Sequence, residues 1–461
     1  MMRSHLMVVA TLMTFAASAA SATDLLDVWR AALQHDLEFS AADAAHQAGQ
    51  ARRDQGASLW HPTFQFTGTA GRMSSESETT GAQFSAPGFP QTDGVSFNTS
   101  VNNGALGRWM VEARQPLISR ERLARSRQLE LSGDIADLEW QGARQTLMLT
   151  TAQSYFAVAL ASESLRILQQ QKAAVERELG EARERHKLGD VPVTDTYEAA
   201  ARVEAIRAQV LAAETDLQLK RLALSDVTGL QPEAMHLLFP ARESTPSGSR
   251  ALNQWLTDAA DRNLLLRTQL ARTELAKEES AKFSVAASPT IDLVAQVGQD
   301  RLSGSGDFGP ASINSNSKMI GVQIIVPLYT GGYRSARQEE ALHLADKARA
   351  DADRTRQQVA LQTRAAWLGL TVGAGRIAAL AEALRANRAR LDATRLGRQV
   401  GDRTTLDILN AENDTANAEL ALLQARIALL TDRLRLSALA GQLDETALIA
   451  VNATLRTADN H

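Results

Sequence analysis

The chain has no cysteine among its 461 residues. That excludes disulfides, thiolate metal sites and a lipid-modified N-terminal cysteine. Aromatic residues make up only 5% and proline occurs 11 times, with none from Leu117 to Leu188. Such a composition, dominated by Ala, Leu, Arg, Gln and Glu, is that of long helices. Neither sign of charge prevails: 49 basic against 53 acidic side chains give −4, which is neither a nucleic-acid nor a membrane-surface signature. Beyond the N-terminus no run of 18 consecutive apolar residues occurs, so any membrane crossing is expected to be made by strands.

The N-terminal segment has Arg3 and His5, the apolar run Leu6 to Ala17, and the small-residue end Ala20-Ser21-Ala22. The run is too short for a spanning helix, and residues 1–22 read as a cleaved secretory signal.

What is present is a duplication. His186 to Glu198, HKLGDVPVTDTYE, and Arg398 to Asn410, RQVGDRTTLDILN, align Gly189 with Gly401, Asp190 with Asp402, Asp195 with Asp407 and, one step on, Ala199 with Ala411. Each copy reads as a helix end followed at once by a helix start: Gly takes the left-handed conformation that closes one helix, and the Asp after it accepts from the N–H groups that open the next.

The same plan surrounds each tip. Asp24 to Trp60 predicts a helix with Leu25, Trp29, Leu33 and Leu37 on one face, ended by Pro62. From Thr63 to Gly71 the period changes to two, with Phe64, Phe66, Gly68 and Ala70 facing one way. A polar loop is expected over Met73 to Gly107, then a second strand, Arg108 to Gln115, with Trp109, Val111 and Ala113 on one side. Leu117 to Leu188 forms a helix of roughly 100 Å at about 1.5 Å per residue, with a coiled-coil seam through Leu165, Leu168, Lys172, Val175, Leu179 and Ala182. Pro192 to Gly229 follows, its seam running from Val203 to Val227. The second half repeats this: a helix over Ala251 to Ser288 with Trp255 in the place of Trp29, a strand through Ile291, Leu293, Ala295 and Val297, and a loop over Arg301 to Ser317. A strand over Lys318 to Val326, a long helix to Val400 and a last helix, Thr404 to Gly441, complete it. That last helix carries a seam of Leu406, Leu409, Asn413, Ala416, Leu420, Leu423, Ile427, Leu430, Leu434 and Ser437. The chain thus divides into a first repeat, 23–230, a linker, 231–250, a second repeat, 251–441, and a polar, frayed tail, 442–461. In each half the two shorter helices together match the long one, so they are expected to stack end to end along it, with strands at one end and tips at the other.

Four strands with one apolar face are long enough to cross an outer membrane but too few to close a barrel. Open edges cannot sit in lipid, so several chains must share one barrel. Two chains would give eight strands and a filled interior; three would give twelve and a water-filled lumen, so a pore favours three.

The two-half plan, the tip sequences LGDVPVTD and VGDRTTLD, the opening DLLDVWRAAL and the strand-to-helix joints QPLISR and VPLYTGG together resemble the TolC-like outer-membrane efflux protein family over almost all of the mature chain. The resemblance implies a mainly α-helical fold with membrane β: a homotrimeric twelve-stranded β-barrel continuous with a long α-helical coiled-coil barrel, closed by an iris at its periplasmic end. It implies a Gram-negative outer-membrane location with a large periplasmic portion, a periplasmic adaptor (membrane fusion) protein and an inner-membrane ABC or proton-driven transporter as partners, and no cofactor.

By the same resemblance Thr194, Asp195 and Arg403 match positions whose links hold the iris shut, with Arg398 where Tyr is usual and available to pair with Asp195. Asp407 matches a lumen-facing acidic ring, whose second position is Asn410 here, which removes three charges. The plainer reading of Asp407 is a carboxylate placed for the helix dipole. Gly189, Asp190 and Val191, with Gly401, Asp402 and Arg403, resemble the surfaces that adaptor hairpins engage; simple capping is the alternative. Asn413 reads as a register-setting polar member of its seam. Gly304, Gly306 and Gly309 spell GxGxxG, but Pro310 follows and no helix opens there, so no phosphate cradle is expected. The eight histidines form no HExxH spacing and no nucleophile motif is present, so no enzyme is expected. The expected function is the exit duct of a tripartite efflux or type I secretion system. The rival is a periplasmic coiled-coil adaptor that never enters the membrane, against which the four alternating strands argue.

Overall fold

The computed structural model describes residues 24–231, 239–240, 250–283, 288–307 and 309–456. The expected signal segment and most of the linker lie outside these residues. The described chain runs α1 (Leu25–His35), α2 (Leu37–Ser58), β1 (Thr63–Phe84), β2 (Thr92–Ser119), α3 (Arg120–Lys187), α4 (Val193–Thr228), β3 (Phe239–Pro240), α5 (Leu252–Arg262), α6 (Leu264–Ala281), β4 (Thr290–Gly306), β5 (Gly309–Ile325), α7 (Tyr333–Gln399), α8 (Thr405–Leu439), α9 (Glu445–Asn452) and β6 (Leu455–Arg456). The halves match closely: α3 and α7 have 68 and 67 residues, α4 and α8 have 36 and 35, and α1 and α5 have 11 each. The chain divides into two compact units.

One unit, residues 47–136 and 270–351, contains the four-stranded antiparallel sheet, ordered β1-β2-β4-β5. Its register places the apolar residues of all four strands together. Phe66 pairs with Val111, Val111 with Val297; Phe64 pairs with Ala113, Ala113 with Ala295, and Ala295 with Ile320. Directly paired residues point to the same side of a sheet, so one face carries Phe64, Phe66, Val111, Leu293, Ile320 and Val322. Phe64 is 74% exposed and Ile320 77%. The opposite face is polar: Arg114 pairs with Glu112 at 3.0 Å and with Asp292 at 3.4 Å, and Gln296 donates to Glu112 at 2.8 Å. Among the described residues β1 and β5 each pair on one side only, which leaves both sheet edges open.

The two expected polar loops are largely strand. β1 and β2 span 22 and 28 residues, and β4 and β5 17 each. Hydropathy alternation stops where both faces meet water, but the backbone ladder needs no apolar side chains to continue. In the same unit α2 lies close on α3: a Cβ on Gly49 would stand 2.3 Å from the Ala136 Cβ.

The other unit holds residues 24–46, 137–269 and 352–456 of the described chain. Its core gathers Leu25, Val28 and Trp29 of α1, Met148, Tyr155 and Phe156 of α3, Leu217 and Leu224 of α4, and Leu430 and Leu434 of α8. Two expected helices are each broken in two. Asp36 accepts from the Phe39 N–H at 2.6 Å and Asn263 from the Leu266 N–H at 3.0 Å, so each short polar side chain caps the second half of its helix pair. Residues 442–456 are not the frayed tail expected but pack on the core. Asp444 caps α9, Leu448 and Val451 are buried in the core, and Asn452 bridges back to α1, accepting from the Leu25 N–H at 3.1 Å and donating to Asp24 at 2.9 Å.

The sequence left only strands to cross a membrane. Among the described helices, α7 contains one 18-residue window of mean hydropathy 1.2 with at most two charged residues, 6% of it buried within the chain.

Candidate functional site

Both tips close in the same way. Gly189 and Gly401 have φ of 84° and 83°, the left-handed region that a side chain disfavours. Around the first, the Gly189 N–H donates to the His186 carbonyl at 3.0 Å and the Asp190 N–H to the Arg185 carbonyl at 2.9 Å; around the second, Gly401 donates to Arg398 at 3.1 Å and Asp402 to Gly397 at 2.9 Å. This is the Schellman pattern, which satisfies carbonyls the helix end leaves open. The residue before each glycine is apolar and uncovered: Leu188 is 78% exposed and Val400 76%.

The helix starts differ from expectation. Neither Asp190 nor Asp402 is the cap. α4 begins at Pro192 without a side-chain cap, whereas α8 begins at Thr404 with a capping box. Asp407 accepts from the Thr404 N–H and hydroxyl, both at 2.9 Å, and its own N–H donates to the Thr404 hydroxyl at 3.2 Å. Those bonds, the backbone one first, together with the Arg403 charge, outweigh desolvation and hold the Asp407 carboxyl below its ordinary value.

Within the described residues of one chain Arg398 does not pair with Asp195. The Arg398 side chain is only 6% exposed, and it reaches from α7 to α3: it donates to Glu178, itself 15% exposed, and forms an ion pair with Glu181 at 3.1 Å. Its Nε is buried without a hydrogen-bond acceptor, its Nη2 faces Glu181 as an ion pair, and burial lowers its pKa from the usual guanidinium value. One turn earlier on α7, Arg395 reaches the opposite way, to Glu412 of α8 at 3.1 Å. Removing one partner of a buried pair costs about 3–5 kcal/mol because a charge is left uncompensated, whereas an exposed pair contributes at most about 1 kcal/mol.

Thr194, Asp195 and Arg403 are not brought together in one chain. Among the described residues the side chains of Thr194 and Asp195 make no hydrogen bond or ion pair, and exposed Arg403 makes no ion pair. Arg403 instead lies over Gly397, where a Cβ would stand 2.9 Å from its Cγ. Asn410 is exposed. Asn413 accepts from Gln171 of α3 at 3.2 Å. Glu178 and Glu181 were not among the residues expected to act at the tips. The available signal was an arginine near the tip of α7 and two carboxylates three residues apart near the tip of α3. Among the described residues no group of three or more His, Cys, Asp or Glu could hold a metal ion.

The sequence profile of the outer membrane efflux proteins matches residues 28–230 and 255–442. The chain belongs to the outer membrane efflux protein family. It is therefore an outer-membrane export protein of a Gram-negative bacterium and not an enzyme. It is 27% identical to the proteases secretion protein PrtF of Dickeya chrysanthemi, over 99% of this chain and 96% of that one. It is 29% identical to the outer membrane protein TolC of Salmonella enteritidis, over 71% and 67%. The fold resembles that of the outer membrane protein VceC of Vibrio cholerae, with a TM-score of 0.70 at 19% identity, over 91% and 97%.

Proposed function

We propose that three copies of this efflux protein form a passive exit duct, a twelve-stranded β-barrel continuous with an α-helical tunnel, in a tripartite efflux or type I secretion system. The observation that carries the reading is the sheet: four strands, one exposed apolar face, one charged face, and two unpaired edges. An open edge in lipid leaves backbone groups without partners, and joining β5 of one copy to β1 of the next removes every edge. The apolar face then meets lipid, and the Glu112–Arg114–Asp292 face lines the lumen. The exposed Leu361, Leu368 and Val372 of α7 supply apolar surface for a neighbouring copy.

At the tips, Thr194 and Asp195 of one copy are available for Arg403 of the next, which makes them the links that keep the iris shut. Three Asp407 carboxylates, each accepting from Thr404, set a negative field favouring cations. Leu188 and Gly189 with Asp190 and Val191, and Val400 and Gly401 with Asp402 and Arg403, form an apolar and polar contact for a periplasmic adaptor, through which an inner-membrane pump supplies the energy. The name of the PrtF relative favours a secreted protein as cargo. Planar-bilayer recording tests the duct: discrete conductance steps are expected, and their absence would favour a periplasmic coiled coil.

A further inference from the structure

The tip carries two arginines that the structure treats in opposite ways. Arg403 is exposed and makes no ion pair among the described residues, while Arg398 is 6% exposed and held by two carboxylates of α3. We propose that Arg398 with Glu178 and Glu181 is a pivot, retained whether the iris is shut or open, about which α7 swings on α3. This rests on the duct reading and concerns which contacts break when the duct opens.

A link that must release in each cycle has to be weak and has to regain water when it parts. Arg403 meets both conditions. Arg398 meets neither: parting from Glu178 would leave a charge inside the protein, on a guanidinium whose buried Nε already lacks an acceptor. The two carboxylates also differ in setting. Glu178 is 15% exposed, and Glu181, one turn nearer the tip on α3, is 56% exposed. The guanidinium can therefore tilt from the inner carboxylate toward the outer one without losing both, a discrete movement of one helix past another. Arg395 holds α8 to α7 through buried Glu412, so α8 moves with α7 as one body. His186, which aligns with Arg398 in the first tip, has no such reach: its Nδ1 lies 3.0 Å from the Val191 carbonyl of its own turn. Among the described residues the first tip has no counterpart of this contact.

The natural chain has no cysteine, so Glu178→Cys with Arg398→Cys provides a unique pair for a short bis-maleimide tether, made in an Arg403→Ser background and recorded in planar bilayers. The pivot expects the tethered channel to keep the raised conductance of Arg403→Ser. Loss of that rise on tethering would show a latch that has to part, and would overturn the pivot while leaving the duct standing. If neither the wild type nor Arg403→Ser conducts, the duct falls and the pivot with it. Arg398→Met, recorded alone, provides a second reading: the pivot expects a lower melting temperature with the closed-state conductance unchanged, whereas a latch expects a rise like that of Arg403→Ser.

Discussion

Thr404 and Asp407 cap each other at the start of α8, the carboxylate accepting from the Thr404 N–H and hydroxyl while the hydroxyl accepts from the Asp407 N–H. Thr404→Ala removes half of this arrangement and is expected to cost about 1 kcal/mol of stability. It should also raise the Asp407 pKa toward that of a free aspartate, about 3.9. Because the folded pKa is the lower one, the cap's contribution is complete above the unfolded value and disappears as pH falls through the folded value. Carboxyl titration by NMR alongside thermal unfolding at neutral and acid pH checks both points.

The Asp407 charge is also expected at the lumen. Asp407→Ala should weaken block of the channel by trivalent cations, read as a shift of the blocking curve to higher concentration. An unchanged curve would leave Asp407 as a helix cap alone.

Arg403→Ser should raise single-channel conductance by removing the exposed links to the neighbouring copy. Gly397→Ala should act in the same direction but less, because a Cβ 2.9 Å from the Arg403 Cγ shifts a flexible side chain without deleting it. Conductance histograms of the two variants in the same lipid give the comparison.

The C-terminal helix should stabilise the body of the protein. Leu448, 1% exposed and packed in the main core cluster, is expected to cost about 2–5 kcal/mol when changed to Ala. Truncation after Gly441 should cost more, since it also removes the Asn452 bridge to Asp24 and the Leu25 N–H. Denaturant unfolding of the detergent-purified protein measures this.

The duplication, the strand faces and the tip glycines were legible because each is written in local chemistry. Gly189 and Gly401 mark left-handed turns, and Phe64, Phe66, Val111 and Val297 alternate in the register that the sheet then uses. The breaks at Asp36 and Asn263 were legible in principle as capping residues, but the continuous apolar stripe across them hid the interruption. The seam of α8 was half read. Leu409, Leu423, Ile427, Leu430 and Leu434 are buried as expected, Leu406 is 46% exposed, and a second buried face runs through Thr405, Ile408, Glu412, Leu422, Leu429 and Leu436. One heptad pattern finds one neighbour, and α8 packs on two faces. The pairing of Arg398 with Glu178 was not legible, because their contact depends on how α7 and α3 lie against each other and not on spacing within either helix.

The account depends most on a wall shared between copies. Native mass spectrometry of the protein extracted from outer membranes in mild detergent reads the number of chains per particle directly. A particle of three chains is predicted, rich in β signal as well as helix. A single folded chain, stable without detergent, would contradict the shared barrel and everything built on it.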